Sequence, residues 1–186
     1  FANWLTSGDA LQGAYGFSDA TTFTGVDRDT ALTTFGTIYV LPTEDEWYKA
    51  AYLKSDGSGY TLYATGDSVP TAGTDANYNF ATPPTWNVGS GSVENNGTYD
   101  MGGNVWEWGE SAYSGGEPTG GESRVLRGGG WNDPSLTLLS SFRYDFNSIG
   151  FRVASVSAAV AAVPEPSSVG LLVIGAMGCV LRRKRG

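Results

Sequence analysis

The chain has 186 residues, with nineteen acids, eleven Lys and Arg, no His, 27 Gly and 13% aromatic residues, a length that suits one domain with a sizeable core plus a tail. Four of the basic residues occupy 182–185, so the body, with Glu165 of the tail also left out, sets seven bases against eighteen acids, about −11. Phosphate contacts need Lys and Arg, which argues against nucleic acid and for divalent cations or basic partners, with plain solubility as the alternative. With no His and a single cysteine, Cys179, the body excludes an intramolecular disulfide, imidazole or thiolate sites for zinc or non-haem iron, and Ser-His or Cys-His dyads. Any metal in the body must be held by oxygen.

Residues 1–6, FANWLT, read as the end of a helix, and no initiator Met precedes them, so an N-terminal portion is expected to be missing. The segment 41–52, LPTEDEWYKAAY, predicts a helix with Thr43 as N-cap and Glu46 three residues on, a capping box. Trp47, Ala50 and Ala51 share one face, and the acids 44–46 are explained by the helix dipole rather than by catalysis. Turn residues fill 55–92, with a polar patch at 77–79.

The segment 95–108, NNGTYDMGGNVWEW, places Asp100 and Glu107 seven residues apart around a glycine pair. Glycines let the backbone turn back and aim carbonyl oxygens at the point that the two carboxylates approach, a mixture that suits calcium. The alternative is a tight turn with Trp106 and Trp108 in the core and the acids solvated; with no fixed signature such as the EF-hand loop, spacing alone favours the turn. Residues 124–127 and 150–154 predict short strands with alternating faces.

The C-terminal end is the most sharply organised segment. A small-residue linker, 156–163, leads to the breaker Pro164-Glu165-Pro166, an apolar run at 167–181 and the basic cluster Arg182, Arg183, Lys184, Arg185. Fifteen residues span only about 22 Å as a helix, short for a permanent anchor, and the basic end should stay cytoplasmic. Val-Pro-Glu-Pro, an apolar helix and a terminal Arg cluster resemble the PEP-CTERM sorting signal of exported bacterial proteins. The resemblance implies a membrane protease-transpeptidase as partner, a transient stay in the inner membrane, and release or attachment at the cell surface or in the extracellular matrix.

LPTEDEWYKAAY, NNGTYDMGGNVWEW, RVLRGGGW and IGFRVA occur in the order and rough spacing of the formylglycine-generating enzyme family, also called the sulfatase-modifying factor domain. The resemblance implies a compact α+β domain over residues 1–155, C-type-lectin-like and loop-rich with little secondary structure, followed by the linker and the sorting segment 164–186 with its apolar helix. It also implies calcium, held by the Asp100 side chain, the Gly103 and Val105 carbonyls and the Glu107 side chain. A second site would begin at Asn77 and the Tyr78 carbonyl.

Family members that oxidise a substrate cysteine hold copper with two cysteines, in the interval matching residues 131–143, which here contains none. Asp133 stands near the first position and residues 135–139 near the second, and soft Cu(I) needs sulfur ligands that neither supplies. A related branch uses iron and histidine, so neither copper nor iron is expected. The reading is an exported, non-catalytic relative that binds glycan or peptide through Asn132, Asp133, Arg143, Tyr144, Asp145 and Asn147. Trp131 and Phe142 either join that surface or lie in the core. Variable proteins of diversity-generating retroelements, which this segment also resembles, bind through the same stretch. A copper oxidase of the parent type and a passive matrix component are the alternatives.

Overall fold

The computed structural model describes residues 1–82, 84–115, 118–145 and 150–158. The apolar helix expected at 167–181, the sorting residues Pro164, Glu165, Pro166, Arg182 and Arg183, and the candidate Asn147 lie outside them. Among the described residues no helix is long and apolar enough to cross a membrane.

The elements run α1 (Ala2–Ser7), β1 (Tyr15–Phe17), β2 (Phe23–Val26), α2 (Arg28–Phe35), β3 (Thr37–Val40), α3 (Glu44–Tyr52), β4 (Glu107–Ala112), β5 (Arg124–Arg127), a 3-10 turn at Ser135–Leu138, β6 (Gly150–Phe151) and β7 (Ala154–Ser157). Three small sheets result: antiparallel β1-β2, antiparallel β3-β7, and β5-β4-β6 with β4 antiparallel to β5 and parallel to β6. This is a loop-rich α+β architecture.

The sequence reading holds at α3. Thr43 Oγ1 accepts from Glu46 N (3.2 Å) and Glu46 Oε2 accepts from Thr43 N (2.8 Å), the reciprocal capping box. Trp47, Ala51 and Tyr52 are buried and pack with Ala64 and Met101. Each of the two rings removes ~150–250 Å² from water, worth roughly 4–6 kcal/mol as an upper estimate.

Other expectations need correction. The acids of α3 do more than favour the dipole: Glu44 holds both Arg127 and Arg143, and Glu46 holds Arg28. Helix α2 was not legible, because its only apolar residues are Ala31, Leu32 and Phe35 among three β-branched threonines. It is fixed by its ends, with Asp27 Oδ1 accepting from Thr30 N (2.9 Å) and Gly36 closing it. The stretch 150–154 is not one strand. Arg152 leaves the ladder between β6 and β7 to reach Glu107, so β6 joins β4 while β7 pairs with β3. The faces of β5 do not alternate, since Val125, Leu126 and Arg127 are all buried. Within the polar patch at 77–79, Asn77 and Tyr78 are buried and Asn79 is exposed.

Candidate functional site

The segment from Glu94 to the start of β4 carries its acids inward. Glu94, Asp100 and Glu107 are all buried, against the expectation of solvated acids in a plain turn, whereas Trp108 is 42% exposed rather than in the core. The backbone is bent to do this. Asp100 and Asn104 sit at φ 56° and 64°, in the left-handed region that side chains disfavour. At Gly103, φ +84°, an added Cβ would collide with the Asn77 carbonyl oxygen, so this close approach requires glycine.

Each acid has a different set of donors. Asp100 accepts from the Trp86 indole through Oδ1 (2.9 Å) and from Gly89 N through Oδ2 (2.6 Å). Glu107 Oε2 accepts from the Trp47 indole (2.8 Å) and Arg152 Nε (2.6 Å), and Arg152 also donates to Tyr99 O (2.7 Å). Glu94 Oε1 accepts from Met101 N (2.9 Å) and Gly102 N (3.3 Å), while its Oε2 is buried with no hydrogen-bond partner among the described residues. Burial pushes the Glu94 carboxyl up to about 7 and raises that of Glu107, with Arg152 opposing both and Asp100 adding to the rise at Glu107.

This donor set fits a hard cation on charge and chemistry. Of the three buried acids only Glu107 is ion-paired, to Arg152, and one Glu94 oxygen is without a hydrogen-bond partner among the described residues. Among the described residues no three acidic, His or Cys side chains meet where they could hold a metal. An ion at this loop would therefore draw much of its coordination from carbonyls such as those of Gly103 and Val105, as calcium readily does. At the second candidate, the Asn77 side chain closes a turn, Oδ1 accepting from Thr82 N (3.2 Å) and Nδ2 donating to Thr82 O (2.8 Å), and Tyr78 O accepts from Ala81 N (3.1 Å).

The two candidate regions share backbone. Asn104 N donates to Asn77 O (2.6 Å), Trp131 N to Asn104 O (2.9 Å), Asn79 N to Asp133 O (2.8 Å) and Phe80 N to Trp131 O (2.9 Å). The Asn104 side chain accepts from Trp86 N (3.0 Å), so one asparagine ties three loops together. Around this seam aromatic rings collect: Trp106 lies 6.0 Å from Phe142 and 5.7 Å from Tyr144, and Phe80 meets Trp131 edge-on at 5.4 Å. Asp133 Oδ2 accepts from the Trp106 indole (2.7 Å) and Gly130 N (2.8 Å). Trp131 and Phe142 are half-buried, between the two expectations for them, while Tyr144, Asn132 and Asp145 are exposed. Arg143 is turned elsewhere. Its Nη2 donates to Glu44 Oε2 (2.7 Å) and Tyr113 O (3.2 Å), and its guanidinium stacks 4.7 Å over the Tyr113 ring.

The sequence profile of the sulfatase-modifying factor enzyme 1-like domain matches residues 1–156, most of the chain. The chain belongs to this family. Within the sulfatase-modifying factor family it is 33% identical over 108 residues to a mouse (Mus musculus) protein named inactive C-alpha-formylglycine-generating enzyme 2, covering 50% of this chain and 32% of that protein. It is 34% identical over 133 residues to serine/threonine-protein kinase pkn1 of Chlamydia pneumoniae, covering 61% of this chain and 20% of that one. The chain thus spans a third or less of these curated relatives. Treponema denticola variable protein 1 shares the fold, with a TM-score of 0.52 and 23% identity over 66% of this chain and 49% of its own. A PEP-CTERM protein-sorting motif covers residues 162–185, so this family member is an exported bacterial protein whose C-terminus meets a membrane-associated sorting machinery.

Several residues that organise this sulfatase-modifying factor domain escaped the sequence reading: Glu94, Trp86, Asn104, Arg152 and Glu44. Glu44, Asn104 and Arg152 lie inside the quoted motifs, which do not name their partners, and Glu94 and Trp86 lie outside them. An aromatic-walled cavity of about 510 Å³ was not foreseen either; Phe1, Phe17, Phe23, Trp108 and Phe151 line it, together with Glu110.

Proposed function

We propose that this domain is a non-catalytic surface binding module, stabilised by calcium at the 94–107 loop, that takes a glycan or peptide on the face around Trp106, Phe142 and Tyr144. The observation that carries the reading is the ring cluster hung over Asp133 and continued by Phe80 and Trp131, all on irregular loops that share backbone hydrogen bonds. Aromatic faces beside amides and carboxylates suit sugars and peptide side chains. Asn132 and Asp145 flank the face, and Asp133 accepts the indole that anchors it. Arg143 serves this face as a strut, because its charge is spent on Glu44.

The absence of cysteine from 131–143 and the printed name of the mouse relative, an inactive enzyme, support the non-catalytic part. Calcium rests on the excess of buried acid, where Asp100 and Glu107 would supply charge and the Gly103 and Val105 carbonyls neutral oxygens. A second ion would use Asn77 and the Tyr78 carbonyl. The chain would reach the cell surface or the matrix once the tail at Pro164-Glu165-Pro166 is processed by a protease-transpeptidase.

The test is a glycan and peptide array probed with the purified chain in calcium and in excess chelator, alongside melting curves. The expected result is saturable binding that Tyr144→Ala weakens, and a higher melting temperature in calcium than in chelator. Equal melting temperatures remove calcium from the proposal, and no saturable ligand leaves the passive matrix component. The parent-type oxidase is tested separately: with copper, oxygen, a reductant and a Cys-containing sulfatase peptide, no aldehyde is expected by mass spectrometry, and turnover above a metal-free blank overturns the non-catalytic reading.

A further inference from the structure

Asn96-Gly97 is the single Asn-Gly pair of the chain, and the loop gives it a task at a distance. The last carbonyls of a helix lack intrahelical partners. Asn96 Nδ2 donates to the carbonyls of Lys49 (3.2 Å), Ala50 (3.1 Å) and Leu53 (2.8 Å), so a carboxamide from another part of the sequence caps the C-terminal end of α3. Thr98 Oγ1 adds a 3.5 Å contact to Ala50 O. Asn96 is exposed. Gly97, at φ +75°, offers no side chain to shield its nitrogen, and nothing lies within 4 Å of where a Cβ would stand.

We propose that Asn96 is a covalent modification site, a deamidation switch whose conversion uncaps α3. The Gly97 backbone nitrogen attacks Cγ of Asn96, forming a ring C–N bond as the bond from Cγ to the side-chain nitrogen breaks. Ammonia leaves, taking up the proton that the Gly97 nitrogen gives up, and a succinimide remains. Water then opens either imide carbonyl to leave aspartate or isoaspartate. Water is the only co-reactant, and no electrons are transferred.

In the native loop both reacting groups are restrained, the carboxamide by three carbonyls and Gly97 N by its bond to Glu94 O (2.9 Å). The reaction therefore passes through local opening of the 94–98 turn. Every other asparagine is followed by a residue with a side chain, which crowds the same attack, so Asn96 converts ahead of them. The product carboxylate has no proton to donate. It places negative charge against three carbonyl oxygens, at the negative end of the helix dipole. The consequence is an irreversible loosening of α3 from the loop that carries Glu94 and Asp100.

The test is incubation of the full chain in warm, mildly alkaline buffer, folded and in urea, with tandem mass spectrometry of every Asn-containing peptide. The expected result is conversion at Asn96 several-fold ahead of the other asparagines in the folded chain, and faster again in urea. The converted fraction, separated by its added negative charge, should melt below the parent, and Asn96→Asp should do the same. If Asn96→Asp does not fold, the fraction converted in the folded state supplies the comparison. Conversion at Asn96 no faster than elsewhere in the folded chain overturns the site, and a converted fraction that melts with the parent overturns the switch.

Discussion

Glu44 at the start of α3 and Glu94 in the last third of the long loop before β4 are both drawn out of water, but into different company. Glu44 lies between two guanidiniums, with Arg127 Nε at 2.9 Å from Oε1 and Arg143 Nη2 at 2.7 Å from Oε2. Glu94 has two backbone amides on one oxygen, nothing on the other, and a carboxyl pushed up to about 7. In the first region charge is matched pair by pair and holds the 140–143 segment, since Arg127 also donates to Ser140 O and Phe142 O. In the second, one of three buried acids, Glu107, is ion-paired, to Arg152. The lesson is that the α3 region holds its acid between two cations, whereas the loop buries acid with less compensation and gains from anything that neutralises it.

Removing the Arg152 guanidinium that pairs with Glu107 breaks this comparison hardest. Arg152→Ala leaves Glu107 buried without its ion pair and should cost about 3–5 kcal/mol of stability, read by denaturant melts. Adding Glu107→Gln should restore a good part of the loss; an Arg152→Ala protein that melts with the parent would show that the guanidinium does not compensate the acids.

Next comes pH. A carboxyl at about 7 in the folded chain and 4.5 as its ordinary value binds more protons folded than unfolded between those points. Its stabilising share is complete below about 4.5, falls as pH rises through 7, and is then lost, by on the order of 3 kcal/mol. Glu94→Gln keeps an acceptor for Met101 N and Gly102 N without the charge, so it should flatten that slope and stabilise the protein at pH above 7. Unchanged pH dependence of the melting temperature in this variant would refute the assignment to Glu94.

Arg127→Ala tests the other region. Glu44 keeps Arg143, so the loss should be smaller than at Arg152, about 2–3 kcal/mol, and tryptophan fluorescence should report loosening around Trp106 and Phe142. A loss as large as that of Arg152→Ala would make the two regions equivalent. The smallest effect belongs to the cap: Thr43→Ala should cost about 1 kcal/mol, and a neutral result would place the stability of α3 wholly in Trp47, Tyr52 and the Asn96 contacts.

What could be read from the sequence is what depends on neighbours along it. The capping box at Thr43 and Glu46, the helix it starts and the strand Arg124–Arg127 follow from short-range rules. Asp100 and Glu107 stood out because they flank a glycine pair, although their burial came as a correction. Glu94, Asn104 and Arg152 were opaque for the opposite reason. Their partners lie at residues 101 and 102, at 77, 86 and 131, and at 99 and 107, and no periodicity records such pairings. Arg143 shows the limit most clearly. It lies inside the segment expected to bind, yet its guanidinium is turned to Glu44 and Tyr113 on the far side.

Strand β7 also has a mechanical consequence. The last described residue is Ala158, whose N–H bonds Gly36 O at 2.8 Å, directly after the Ser157–Thr37 pair that ends the β3-β7 ladder. Tension applied to the sorting tail, whether by the machinery that handles it or by an attachment made through it, enters at that last rung. A pull directed away from Thr37 opens the antiparallel ladder rung by rung instead of shearing all of them together. Among the described residues, the four pairs of the β3-β7 ladder are the first that such a pull meets.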